Sequence, residues 1–112
     1  MNNIISGKIG ENLANYLLRE KGMKIIEQNY RNKIGEIDLI ALDKDYIVFI
    51  EVKARRSAKF GLPCEAVNFR KIQKIRNVAT LYLKSKGLLE KNVRFDVIDI
   101  LDGEFRHIEN AF

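Results

Sequence analysis

Two carboxylates interrupt two otherwise apolar stretches, Ile37-Asp38-Leu39-Ile40 and Phe49-Ile50-Glu51-Val52. An ionised carboxylate is costly to bury without a cation partner. Two of them on neighbouring strands call for a shared one. Lys53 follows Glu51 by two residues, so on a strand it points to the same face. Facing carboxylates are reconciled by a shared proton or by a divalent cation. An all-oxygen donor set suits Mg²⁺ or Mn²⁺ better than Zn²⁺, and the backbone carbonyl of Val52 would add a further oxygen. An ammonium beside a metal-bound carboxylate pair can orient an attacking water and stabilise charge on a phosphate. The chemistry these residue types fit is hydrolysis of a phosphodiester. The alternative is a structural ion-pair cluster, but ordinary cores seldom place several charges on one face.

The register of the two strands decides whether the carboxylates meet. Glu36 to Leu42 and Tyr46 to Lys53 read as strands, the second rich in β-branched and aromatic residues. The segment Asp43-Lys44-Asp45 joins them as a tight turn, giving an antiparallel hairpin. With Lys44-Asp45 as a two-residue loop, Asp43 pairs with Tyr46. Counting back along both strands then places Asp38 opposite Glu51, with Cβ atoms roughly 5 Å apart. An odd loop would separate the faces unless a bulge restored them. Glu36, on the same face by alternation, would cap the strand entrance.

Other elements must hold this hairpin in place. A first helix is expected from about Ser6 to Lys21, with Ser6 as cap and Gly22 as stop. Its apolar stripe reads Ile9, Leu13, Tyr16, Leu17. Glu11 belongs to a second stripe with Gly7, Ala14 and Leu18, whose small or apolar character points it toward the protein body. A weaker strand follows at Lys24 to Tyr30. After a loop from Ala54 to Pro63, a long helix is expected from Val67 to Lys86, with Ile72, Ile75, Val78, Ala79 and Tyr82 apolar and Gly87 ending it. Val93 to Leu101 reads as a strand covered on both sides, and Glu104 to Ile108 as an edge strand after the Asp102-Gly103 turn. The order is helix, three strands, helix, two strands. One mixed central sheet with helices on both faces buries every stripe at once, an α/β architecture.

The basic residues are unevenly placed. Eight fall between Lys53 and Arg76, against the single acid Glu65. Lys53 apart, they are Arg55, Arg56, Lys59, Arg70, Lys71, Lys74 and Arg76. Arg70, Lys71 and Lys74 share a helical stripe, whereas Arg76 points elsewhere. Such clusters bind phosphate backbones through charge without reading bases. Phe60 and Phe69 are expected in the core rather than as stacking platforms.

Composition bounds the remainder. The chain has 112 residues and a formal net charge of +5. That length suits one domain, residues 1–112, with one core, and the basic balance favours a polyanionic partner. The lone cysteine, Cys64, cannot form an intrachain disulfide and reads as a small hydrophobe, since the single histidine, His107, lies far away in sequence. No apolar run is long enough to span a membrane and no signal peptide is evident, so a cytoplasmic location is expected.

The pattern Asp38…Glu51-x-Lys53 on a hairpin resembles the PD-(D/E)XK nuclease superfamily, whose members share the restriction-endonuclease-like fold. A longer set of blocks resembles the YraN-like bacterial family, endonuclease-like proteins similar to archaeal Holliday-junction resolvases. The blocks are Gly7-x-x-Gly10-Glu11, Asn29-Tyr30-Arg31, Gly35-Glu36-Ile37-Asp38-Leu39-Ile40, Val48-Phe49-Ile50-Glu51-Val52-Lys53-x-Arg55, Phe60-Gly61, Arg94-Phe95-Asp96-Val97 and His107-Ile108-x-Asn110-Ala111-Phe112. The resemblance implies that Glu11, Asp38, Glu51 and Lys53 occupy the superfamily's active-site positions. Ile37 stands where the name motif has proline. A metal-dependent endonuclease acting on nucleic acid is therefore expected, with DNA, branched DNA included, as substrate. A dimer would follow by analogy with resolvases. The competing readings are a non-catalytic nucleic-acid-binding or assembly module and a protein–protein adaptor; the charge clustering counts against the adaptor.

Overall fold

The computed structural model describes residues 3–55 and 68–112. Seven elements follow one another: α1 (Asn3–Glu20), β1 (Lys24–Arg31), β2 (Glu36–Asp43), β3 (Tyr46–Arg55), α2 (Phe69–Lys86), β4 (Asn92–Leu101) and β5 (Glu104–Ile108). The strands form one sheet in sequence order. Neighbours are antiparallel except β3 and β4, which α2 joins as a parallel pair. A parallel pair needs such a crossover, because a tight turn can only reverse the chain. The mixed α/β arrangement is compatible with the restriction-endonuclease-like fold that the sequence implies.

Alternation along the strands divides the core into two layers. On one face Leu39, Ala41, Val48, Ile50, Ile98 and Ile100 meet Ala14 and Leu18 of α1. On the other, Ile40, Ile47 and Phe49 meet Ile75, Val78, Ala79 and Tyr82 of α2. Helices thus cover both faces. The α2 cap is Asn68, whose side chain accepts from the Lys71 N–H, and Gly87 closes the helix at φ 69°.

Three expectations are corrected. Helix α1 begins at Asn3, so Ser6 lies within it and not at its N-cap position. Its buried side is the small-residue stripe, while Ile9, Leu13 and Tyr16 are exposed. A Cβ added at Gly10 would lie 2.6 Å from the Ala54 Cβ, so the helix backbone approaches the sheet where only small residues fit. Phe69, expected in the core, is 81% exposed at the first turn of α2. Phe60 and Cys64 lie outside the described residues. No helix among the described residues is long and apolar enough to cross a membrane.

Candidate active site at a fork in the sheet

The β2–β3 hairpin has the expected register. Asp43 pairs with Tyr46 and the ladder runs without a slip to Leu39 opposite Ile50. There it stops. The next N–H on β3 that would face β2, that of Val52, donates instead to Asp38 Oδ2 at 2.8 Å. A side-chain carboxylate thus takes the place of a ladder carbonyl, and the two strands part. Beyond that point β3 continues beside β4 as far as Arg55 opposite Leu101.

The other neighbour of Asp38 is also irregular. Between the pairs Gln28–Leu39 and Tyr30–Ile37 lies Asn29, at φ 51°. Asparagine tolerates this left-handed conformation better than most residues. The consequence shows in the packing. Leu39 joins the α1 layer but Ile37, two residues away, joins the α2 layer. A regular strand would place both on one side.

Asp38 and Glu51 line one cavity at this fork, where the charge of Asp38 acts on Glu51. Glu51 is 6% exposed, and Asp38 and Lys53 are half-buried. Burial and then the neighbouring Asp38 charge push the Glu51 carboxyl up to about 7, against the pull of Lys71 and Lys53. Burial raises Asp38 as well, although the Val52 N–H and Lys53 oppose it. Burial, followed by the nearby Lys71, lowers the Lys53 ammonium. These three groups are therefore poorly compensated as they stand.

They open onto a cavity of about 630 Å³. Asp38, Glu51, Val52 and Lys53 line its sheet side, Lys71 and Lys74 its helix side, and the β1–β2 turn its third side. Asn32 fixes that turn. Its side chain donates to the Val78 carbonyl of α2 and accepts from the Ile34 and Gly35 N–H groups. Arg31 and Glu36 on the rim pair with each other at 2.6 Å.

The donor set fits a hard divalent cation. It consists of two converging carboxylates, one buried, with Val52 lining the same space. Mg²⁺ is typically held by one or two carboxylates, with water and substrate phosphate completing the shell. Among the described residues no group of three His, Cys, Asp or Glu side chains converges for a metal.

The residues singled out from sequence divide as follows. Asp38, Glu51, Val52 and Lys53 meet at the cavity, and Lys71 and Lys74 join them. Glu11 is half-buried on α1, beside the Gly10–Ala54 contact, and is not among the described lining residues. Arg70 is exposed and also off the lining, while Arg76 lies over the Phe95 ring. The Arg55 side chain, Arg56 and Lys59 lie outside the described residues. Sequence reasoning placed Lys71 and Lys74 in a nucleic-acid-binding stripe with Arg70 and did not set them in the cavity with the carboxylates. The signal missed is the crossover itself, which returns α2 over the face that carries Glu51 and Lys53.

The profile described as "Uncharacterised protein family UPF0102" matches residues 10–100. A UPF0102 protein of Clostridioides difficile (strain 630) is 52% identical to this chain, over 100% of each. One from Alkaliphilus metalliredigens (strain QYMF) is 46% identical, over 95% of this chain and 96% of the relative. One from Thermodesulfovibrio yellowstonii is 52% identical, over 95% of this chain and 94% of the relative.

Proposed function

The chain belongs to UPF0102, the YraN-like family whose motifs it carries, and from the site itself we propose that it is a metal-dependent endonuclease hydrolysing phosphodiester bonds of nucleic acid, DNA and branched DNA foremost. The observation that carries this reading is the convergence of Asp38 and Glu51 at the fork, with Lys53 beside them.

Asp38 and Glu51 would hold Mg²⁺ or Mn²⁺, with the Val52 carbonyl as a further oxygen. When bound, the cation supplies Lewis acidity and neutralises charge on a phosphate oxygen. Glu51 must release its proton before it can serve as a ligand. The Lys53 ammonium orients the attacking water and stabilises negative charge as a new P–O bond forms and an ester P–O bond breaks. The walls around Glu51 limit solvent, which strengthens these interactions.

A second reading has its own support. With Glu51 pushed up to about 7, it can share a proton with Asp38 and remain stable without a metal. That suits a binding or assembly module. One experiment separates the two: incubation with duplex, single-stranded, flap and four-way DNA, and with RNA, in Mg²⁺, Mn²⁺ or chelator. Metal-dependent cleavage that disappears in Glu51→Ala supports the nuclease. Salt-sensitive binding without turnover on any substrate favours the module.

A further inference from the structure

The β1–β2 turn, which forms one wall of the cavity, is held more firmly than closing a turn requires. It contributes every residue from Arg31 to Glu36 to the lining. Its anchor is the half-buried Asn32. The Asn32 N–H donates to the Gly35 carbonyl at 2.9 Å, and the side-chain oxygen accepts from the Ile34 and Gly35 N–H groups. Those bonds close the turn on itself. The side-chain nitrogen goes further, donating to the Val78 carbonyl at 3.2 Å and to the Tyr30 hydroxyl at 3.3 Å. Two donors and two lone pairs are all that this amide has, so its capacity is used in full. The partners also fix which way it points, because an N–H only donates and a carbonyl only accepts.

Val78 is a buried residue near the middle of α2. Asn32 therefore fastens one wall of the cavity to another. Packing closes the same seam: a Cβ added at Gly35 would lie 3.0 Å from Lys74 Cε and 3.3 Å from Val78 Cγ2, tighter than ordinary van der Waals contact. The turn cannot swing aside without losing its bonds to the helix. Glu51 lies behind it, buried. A space of about 630 Å³ is the size that encloses one small ligand, typically about 300–1,000 Å³. It suits a phosphodiester with a flanking nucleotide rather than a length of double helix.

We propose that the fastened turn makes this site a slot for an unpaired DNA strand, and that Asn32 is the positioning residue that sets it, an inference that rests on the function proposed above. To reach the buried Glu51, a phosphodiester must leave the flank of a double helix together with its neighbouring bases. Unstacking those bases costs free energy, least where the strand is already single. A free end, a flap or a branch point supplies such a strand without that cost. Asn32 acts only through the place it gives the turn.

The test is run in chelator, so that no step involves cleavage. Binding of a short single-stranded DNA and of the same sequence as a blunt duplex is measured by fluorescence anisotropy at matched ionic strength, with isotope-labelled protein followed by NMR in parallel. The wild type should bind the single strand at least about tenfold more tightly, since unstacking costs that much or more. The single strand should shift the Ile34 and Gly35 amide signals, which the duplex leaves in place. Asn32→Asp keeps the acceptor for those two N–H groups and loses both donors, so it frees the turn from α2 without unmaking it. Its ratio of the two dissociation constants should fall toward one. Gly35→Ala, which wedges the same seam by bulk, should do the same and serves if Asn32→Asp does not fold. A merely structural asparagine would lower the urea midpoint and weaken both forms alike, leaving the ratio as it was. An unchanged ratio in both variants, or equal binding of the two forms by the wild type, overturns the slot and leaves the function proposed above standing. Binding of neither form overturns both.

Discussion

Asp96 and Glu51 are buried carboxylates on neighbouring strands of one sheet, and they behave in opposite ways. Asp96 faces the α1 layer. It accepts two hydrogen bonds from the Arg94 guanidinium at 3.0 Å, one from His107 Nε2 at 2.7 Å and one from the Asn110 N–H at 3.0 Å. Burial alone would raise it, but His107, Arg94 and Asn110 outweigh that and hold it below the ordinary carboxylate range. Lys21 in turn donates to His107 Nδ1, and Arg94 also reaches Asp43. Glu51 faces the α2 layer, beside a second carboxylate and two lysines that repel each other. Among the described residues, a buried carboxylate is thus held ionised on one face and pushed toward its neutral form on the other. The sheet can satisfy a buried acid, and the contrast at Glu51 is the feature on which the proposed metal site rests.

The largest expected effect falls on the unsatisfied face. Asp38→Ala or Glu51→Ala should each reduce cleavage by about 10³-fold or more, since losing several kcal/mol of charge stabilisation costs that much rate. Denaturation of the metal-free protein should show Glu51→Gln at least as stable as the wild type. Retained cleavage in both alanine variants would break the comparison.

The satisfied face should respond the other way. Asp96→Asn takes from Arg94 its buried anion and leaves it the more exposed Asp43 and Glu109, and losing a hydrogen bond to a charged group costs about 1.5–3 kcal/mol. Urea midpoints would register it, while cleavage per folded molecule stays as before. Gly10→Ala also acts on this face: a Cβ 2.6 Å from Ala54 should cost about 1–3 kcal/mol through overpacking. A neutral result would mean that α1 can shift away from the sheet.

Acidity sharpens the contrast with a smaller effect. Glu51 binds its proton more tightly folded than unfolded. Its contribution to stability is therefore complete below about 4.5 and is lost as pH rises through about 7. The metal-free protein should lose up to about 1.4 kcal/mol per pH unit across that window. Asp96 has the opposite sign. Its contribution is present above 3.8 and is lost as pH falls through its lower folded value. Glu51→Gln should flatten the first limb of a stability–pH profile and leave the acid limb; a profile unchanged by the substitution would contradict the assignment.

Much of the site could be read from the sequence because a two-residue turn propagates register along a hairpin. Counting from Lys44-Asp45 reached Leu39 and Ile50 correctly. It did not reveal that the ladder ends there, since capture of the Val52 N–H by the Asp38 carboxylate leaves no trace in alternation. The face of α1 was misread for a related reason. Hydrophobicity favoured Ile9, Leu13 and Tyr16, whereas side-chain volume decided the contact, through Gly10 and Ala14. The Asp96 cluster needed tertiary information. His107 reaches it because β5 pairs His107 beside Ile98, and the turn at Asn110 brings in the final N–H. The place of Lys71 in the cavity likewise depends on where the crossover returns α2.

The most direct measurement is calorimetric titration of Mn²⁺ into the metal-free protein at pH 6 and pH 8, alongside Glu51→Gln. The account requires one site, tighter at pH 8, with proton release at pH 6 that diminishes at pH 8, and its loss in the variant. Absence of binding, or binding that Glu51→Gln leaves unchanged, would contradict it.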